Sequence, residues 1–113
     1  MNKYEMIKCE KLFRIRALRD IGEDVKEGDL GGLIENEGNL SQEGEAWISG
    51  DAWVLDNACI SGNARVTGDA VVFGNARVSD SAIVSGDARV NGNAHISGNT
   101  HVCGDDVLDW IVV

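Results

Sequence analysis

The chain contains no proline and only three cysteines. Without proline, every peptide N–H along the chain can join a ladder of hydrogen bonds between strands. Cys9, Cys59 and Cys103 are odd in number and lack the spacing of a metal site. They indicate reduced thiols rather than a disulfide framework. We therefore expect a cytoplasmic protein.

Long apolar runs and excess positive charge are also missing. No stretch is long enough to cross a membrane, and no signal peptide is recognisable, so we expect no membrane attachment. The net charge of -9 at pH 7 argues against nucleic acid as a direct partner. It permits binding to a protein with a basic surface, although acidity alone usually serves solubility. A length of 113 residues predicts one domain.

Ten consecutive six-residue units run without insertion from Gly44 to Cys103. The first position is Gly or Asp, the second is usually Asn or Asp, the third is nearly always Ala, and the fifth is always Val or Ile. Such self-similarity predicts a β-solenoid, because each unit can bury its apolar residue only by stacking on copies of itself. The residues expected to point inward are Ile48, Val54, Ile60, Val66, Val72, Val78, Val84, Val90, Ile96 and Val102.

Each unit is expected to hold one short strand at its fourth to sixth positions, with the fifth side chain inside. The Gly–Asn/Asp pair would form the corner, since both members tolerate the left-handed backbone region. The pattern resembles the hexapeptide repeat of left-handed parallel β-helices, in which three units close a triangular coil. That resemblance implies an all-β, left-handed parallel β-helix; a right-handed solenoid is the alternative.

The segments that flank the repeats differ from them in composition. We divide the chain into residues 1–43, a strand and cap segment with a degenerate first coil from about Gly31; residues 44–105, the β-helix; and residues 106–113, a tail. Alternating apolar and basic residues from Leu12 to Leu18 predict a half-exposed strand. A cap is expected because the open end of a solenoid exposes unpaired strand edges. The tail either caps the last coil or offers an edge to another subunit.

The leader and the repeats together resemble one family. The segment Phe13–Gly44, FRIRALRDIGEDVKEGDLGGLIENEGNLSQEG, followed by hexads such as GNARV and GDAWV, is similar to the YdcK-type hexapeptide-repeat proteins. That family occurs in enterobacterial genomes and in many phages and prophages. The resemblance extends over about nine tenths of the chain. It implies a β-helix of bacterial, prophage or phage origin and brings no catalytic residues with it.

If three units make a coil, residues eighteen apart stack, which sorts the surface into columns. One corner column is acidic throughout: Asp51, Asp69, Asp87 and Asp105. Like charges at a spacing of about 4.8 Å repel one another, so the column is a candidate for binding a divalent cation or a row of Lys and Arg. The alternative is that Asp and Asn are interchangeable at corners. The next corner, Asn57, Asn75 and Asn93, predicts amides that bond along the stack.

A second group of columns points apolar side chains outward. Contiguous exposed apolar residues usually mark an interface, and here they are Trp53, Leu55, Val71 and Phe73. Either the amino-terminal segment folds over them or another subunit contacts them. Trp110 in the tail is a further candidate interface residue, whereas Trp47 is expected to pack under the cap.

The two histidines, His95 and His101, are the candidates for a catalytic role, because β-helix acyltransferases use a histidine near a subunit boundary. They are expected on different faces, so they could not bind one metal together within a subunit, and zinc sites of the kind found in β-helix enzymes need three. The alternative is that each is a tolerated residue of a surface strand. No cofactor is expected.

The hypothesis favoured by these patterns is a non-enzymatic interaction protein of phage or prophage origin that docks onto a protein with a basic surface. A specific form is an acidic inhibitor of a host nucleic-acid-binding or defence protein. The alternatives are a small trimeric acyltransferase-like enzyme and a structural module that self-assembles through its apolar face. A homo-oligomer, either a dimer or a trimer, is expected.

Overall fold

The computed structural model describes residues 2–105 and 107–108, and nearly all regular structure in them is β. One turn of 3-10 helix, Glu37–Asn39, interrupts the strands. The strands are β1 Tyr4–Cys9, β2 Leu12–Ala17, β3 Leu30–Ile34, β4 Trp47–Ile48, β5 Trp53–Val54, β6 Cys59–Ile60, β7 Arg65–Val66, β8 Val71–Val72, β9 Arg77–Val78, β10 Ile83–Val84, β11 Arg89–Val90, β12 His95–Ile96, β13 His101–Val102 and β14 Val107–Leu108.

The repeat strands stack into three parallel sheets that form the sides of a prism. The first face consists of β4, β7, β10 and β13, and the third of β6, β9 and β12. The second face has β5, β8, β11 and β14, and it continues upward through β3, β2 and β1. Partners are eighteen residues apart, as with Trp53 and Val71. This pairing confirms the predicted parallel β-solenoid with three units per coil.

The core of the coils consists of aliphatic residues from all three faces, with alanine at the corners. Every fifth-position Val or Ile is buried, and the most exposed of them, Val102, has only 3% of its surface accessible. β-Branched side chains fit the pleated inner wall, and each contributes on the order of 1.5–3 kcal/mol when fully buried. The third-position alanines are also buried, from Ala46 to Ala94, so these small side chains occupy the inner corners.

The corners turn at the first position of each unit. Among the described repeat residues, positive φ occurs only there, as at Gly68 with φ 67°. Asp56 and Asp80 adopt the same conformation with φ 55° and 57°. Each offers a carboxylate oxygen to the glycine N–H one coil below, 3.0 Å away for Asp56 and Gly74. The prediction that both members of the corner pair share the left-handed role was therefore wrong, because the second position stays outside that region.

The first coil is present but irregular. Strand β3 pairs in parallel with β5, and Leu40 forms a bridge with Ile60. These partners are twenty residues apart rather than eighteen, because two extra residues lie between Leu40 and Ile48. The buried side chain of Asn39 joins the 3-10 turn Glu37–Asn39 to the coil below. Its amide nitrogen donates to the Ala58 carbonyl at 2.8 Å. The first coil therefore includes strand β3, Leu30–Ile34, and Leu40.

The β1–β2 hairpin lies over the upper end of the core. Strand β2 coincides with the strand predicted from Leu12 to Leu18, apart from its last residue. It pairs antiparallel with both β1 and β3. Tyr4 and Ile15 are buried, and the Tyr4 hydroxyl donates to the Leu40 carbonyl at 2.6 Å. The Lys3 ammonium donates to the Ala46 carbonyl at 2.8 Å and to that of Glu43 at 3.2 Å. Carbonyl groups at the open end are thus paired by side chains of the cap.

The connection between β2 and β3 crosses the first face. The Arg65 guanidinium donates to both carboxylate oxygens of Asp24, at 2.8 and 2.9 Å. This bond holds the pKa of Asp24 below its usual value. Asp24 and Val25 line the same concavity as Trp47, which is 1% exposed. The expectation that Trp47 packs under the cap is confirmed.

Candidate interaction face

The second face places four large apolar side chains outside the core. Trp53 and Leu55 lie on one coil, and Val71 and Phe73 lie directly below them. Their orientation follows from alternation along the strand, since the intervening Val54 is fully buried. Trp53 is 43% exposed and the other three are half-buried. Stacking of the coils therefore brings these four residues together on one surface, as predicted.

These side chains line a shallow concavity of about 490 Å³. Asp51 and Asp69 border it on the side of the acidic corner, and Arg89 closes its lower end. An apolar floor beside a row of carboxylates is suited to a ligand that is apolar at its centre and cationic at its edge. Sequence reasoning missed Arg89, although its position eighteen residues after Val71 could have revealed it.

A second concavity, of about 450 Å³, adjoins the first at its upper end and shares Trp53 and Leu55 with it. It is lined from above by the hairpin turn 9–12 and by Leu33. The amino-terminal segment therefore borders the apolar side chains without covering them. The hairpin turn reaches Trp53 and Leu55, while the connection between β2 and β3 crosses the first face, so the segment lies beside these side chains rather than over Val71 and Phe73. Contact with another subunit stays a prediction, and Trp110 lies outside the described residues.

The acidic column is stacked as the eighteen-residue spacing requires. The Asp51 N–H donates to Gly68, and the Asp69 N–H donates to Gly86, at 3.1 and 2.9 Å. Asp87 repeats the pattern with Gly104 at 2.8 Å, and Asp105 follows at the exposed lower end. Within the described residues no three His, Cys, Asp or Glu side chains come together to hold a metal ion. The cation interpretation of the column stays a prediction.

The neighbouring corner carries the predicted amide stack. The Asn57 side-chain nitrogen donates to the Asn75 side-chain oxygen at 3.3 Å. With Asn93, these residues line a polar hollow that also contains Arg77 and His95. Amide bonding along the corner is confirmed for the first pair, and it gives this corner a structural role.

The two histidines lie on different faces, as predicted. His95 pairs with Arg77 on the third face, and His101 pairs with Ile83 on the first. The His101 Nε2 atom lies 3.2 Å from the Ser85 hydroxyl, a nucleophile–base distance that the sequence analysis did not anticipate. The repeat could have revealed this contact. Ser85 is the sixth residue of its unit and His101 is the fourth residue of the unit one coil below, so the two lie diagonally across adjacent coils. Both residues are on the surface, and His101 lines none of the four concavities described above.

Comparison with known families places the similarity in the coils. The family model described as the YdcK β-solenoid repeat matches residues 58–73, 72–86 and 84–98. The matched stretches include Val71 and Phe73 but not the hairpin cap. No curated protein matches the chain. Along residues 2–105 and 107–108, no helix is long and apolar enough to span a membrane.

Proposed function

We propose that this protein is a non-enzymatic interaction module that binds a protein partner through its second face. The observation that carries the proposal is the uncovered apolar floor formed by Trp53, Leu55, Val71 and Phe73 beside the acidic column. Large exposed apolar groups next to charged ones are typical of interface centres and their rims. We expect the protein to act in the cytoplasm, where its three free cysteines stay reduced.

The partner that fits this face has a basic surface around an apolar contact. Charge complementarity steers such a partner toward the acidic column, and apolar burial then holds it. The net charge of -9 adds a favourable field at longer range.

A specific form of the proposal is a phage-encoded inhibitor of a host nucleic-acid-binding or defence protein. The acidic column carries one charge per strand spacing of about 4.8 Å, whereas duplex DNA carries one per about 1.7 Å. The column alone is therefore a sparse imitation of a duplex, and the apolar floor has to supply much of the affinity. A basic site that also exposes apolar side chains is the expected target.

Affinity capture with matched variants tests the proposal. Wild-type protein should retain a partner from cell extract that the double variant Leu55→Ser/Phe73→Ser does not. The control is Ile83→Ser, which removes an exposed aliphatic side chain from the first face. Retention by the double variant would overturn the proposal, and so would equal loss with the control.

The charged part of the face is tested with a second pair of variants. Asp51→Asn/Asp69→Asn/Asp87→Asn should keep the fold and lose the captured partner. Glu23→Gln/Glu27→Gln/Glu43→Gln removes the same charge from exposed positions elsewhere. This control variant should still capture the partner. Unaltered capture by the aspartate variant would rule out a role for the column. Displacement of DNA from the captured partner then tests the inhibitor form.

A transferase with its site between subunits is a second candidate, favoured by the Ser85–His101 hydrogen bond. It requires His101 to face a cleft on a neighbouring subunit, as in a closed trimer. The absolute mass from light scattering, measured at dilute and concentrated protein, decides between the interaction module and the transferase. A stable trimer that binds an acyl donor, and loses it with His101→Gln, supports the transferase, whereas a monomer or dimer removes the required architecture.

A further inference from the structure

We propose that the second face receives a short linear segment of its partner, in which apolar side chains are flanked by basic ones. This inference rests on the proposed function and specifies what the face recognises. It starts from the two concavities, which share Trp53 and Leu55 and so adjoin along the axis of the solenoid. Together they form one groove that begins at the hairpin turn and ends at Arg89.

The length of the groove corresponds to a few residues of extended chain. Its lining runs from Leu12 on β2 to Arg89 on β11 and crosses β3, β5 and β8 between them. Four strand spacings of about 4.8 Å give roughly 19 Å. An extended chain advances about 3.3 Å per residue, so about six residues fill the groove.

The floor of the groove is apolar from β2 to β8, and Arg89 on β11 ends it. It contains side chains from four adjacent strands or their ends: Leu12, Leu33, Trp53, Leu55, Val71 and Phe73. Each concavity, at about 490 and 450 Å³, falls in the size range of small-ligand sites. Large side chains of a bound segment can therefore enter both halves.

The walls of the groove carry carboxylates on both sides, and they outnumber the two cations at its ends, Lys11 in the hairpin turn and Arg89 on β11. Asp51 and Asp69 line one side, and Glu35 and Asp56 line the other. Glu35 accepts the Asp56 N–H at 2.6 Å, and Asp56 accepts the Gly74 N–H, yet both keep acceptor capacity for a cation. Basic side chains that leave the floor on either side therefore meet negative charge.

The same charges decide between the possible occupants. A second copy of this chain would bring its own charge of -9 to the contact, which opposes self-association through an acidic groove. A broad folded surface would meet the hairpin turn 9–12, which lines the upper end of the groove beside Leu33. A linear cationic segment meets neither obstacle.

Titration with a designed hexapeptide tests the apolar part of the inference. The probe is acetyl-KLKFKL-amide, added to the full-length ¹⁵N-labelled protein and followed by NMR. The resonances of Trp53, Val71 and Phe73 should shift, and Phe73→Ser should weaken binding about tenfold. Ile83→Ser should leave the affinity unchanged; an equal loss there would overturn the inference. Far-ultraviolet circular dichroism verifies that each variant stays folded.

The charged part is tested with a second peptide and a second pair of variants. Acetyl-ELEFEL-amide should bind at least tenfold more weakly than the basic probe. Asp51→Asn/Asp69→Asn should weaken the basic probe by roughly threefold to fivefold at low salt and have little effect at high salt. Glu23→Gln/Glu27→Gln removes the same charge elsewhere. If it weakens the probe equally, the attraction is to net charge and the assignment of the groove fails.

The outcomes separate this inference from the proposed function. If both peptides bind equally and Phe73→Ser weakens both, the face is a docking surface but the basic partner is wrong. If neither peptide binds while a captured folded partner is still lost with Leu55→Ser/Phe73→Ser, the linear segment is wrong and the proposed function stands. If the protein doubles its mass on concentration and Phe73→Ser abolishes that, the occupant is a second copy.

Discussion

The ammonium nitrogen of Lys3 lies 2.8 Å from the carbonyl oxygen of Ala46, forty-three residues further along the chain. The Lys3 side chain is fully buried, and it closes the end of a solenoid whose uppermost carbonyls have no coil above them. A buried base of this kind resists protonation. Burial, with help from the charges of Arg19 and Arg65, lowers the pKa of Lys3 to about 8.

The first prediction concerns the stability of the protein between pH 8 and 10. In this window the unfolded chain still holds the Lys3 proton, whereas the folded chain has released it. Because stability rises with pH wherever the unfolded state binds more protons, the free energy of unfolding should increase from about pH 8 upward. Urea denaturation at several pH values measures this. Lys3→Met should lose the increase, and a slope that persists in the variant would refute it.

The second prediction concerns the Tyr4 hydroxyl, which donates to the Leu40 carbonyl at 2.6 Å. Tyr4→Phe leaves that buried acceptor without its donor, which should cost about 1–3 kcal/mol. Burial, with the charge of Glu37 as the next cause, raises the pKa of Tyr4 to about 12. The folded state therefore keeps a proton that the unfolded state loses near pH 10, and stability should fall above that pH. Phe at this position should abolish the fall, which a pH series of thermal melts can detect.

The third prediction separates backbone conformation from hydrogen bonding at Asp56. With φ at 55°, Asp56→Ala loses the bond to Gly74 and places an alanine in the left-handed region, so it should cost about 2 kcal/mol or more. Asp56→Gly loses only the bond and should cost about half as much. Denaturant midpoints compare the two. Equal losses would mean that the backbone conformation carries little strain.

The fourth prediction concerns repulsion in the acidic column. Asp69 has a like charge one coil above and one coil below it, so Asp69→Asn should stabilise the fold by about 0.5 kcal/mol at low salt. The gain should shrink in 1 M salt, where charges are screened within about 3 Å. Glu23→Gln is the matched control for loss of one negative charge. A neutral or destabilising effect of Asp69→Asn would show that the column is not in conflict with the fold.

The periodic part of the fold could be predicted from the sequence because similar units stack with their equivalent residues aligned. The spacing of six placed Val66 and its equivalents inside, and the spacing of eighteen set Trp53 against Val71 and Cys59 against Arg77. Those pairings depend only on local alternation and repetition. The same spacing of eighteen predicted which outward side chains share the second face.

The cap could not be derived in this way, because its position depends on single long-range contacts. The Asp24–Arg65 bond joins residues forty-one apart and draws the connection across Trp47 rather than Trp53. The burial of Lys3 has no periodic signal either, since a lysine in the leader reads as a surface residue. Arg89 was predictable by position, yet its place at the end of a groove emerged only with the side chains around it.

Within the repeats, two residues lie on the same side of the prism at equivalent positions when they are eighteen residues apart. Duplicating or deleting eighteen residues would therefore lengthen or shorten the protein and leave every remaining surface in alignment. A change of six would turn everything below it by one side, so that Val71 and Phe73 would no longer lie beneath Trp53 and Leu55. Lineages that conserve this groove should differ in length by whole coils.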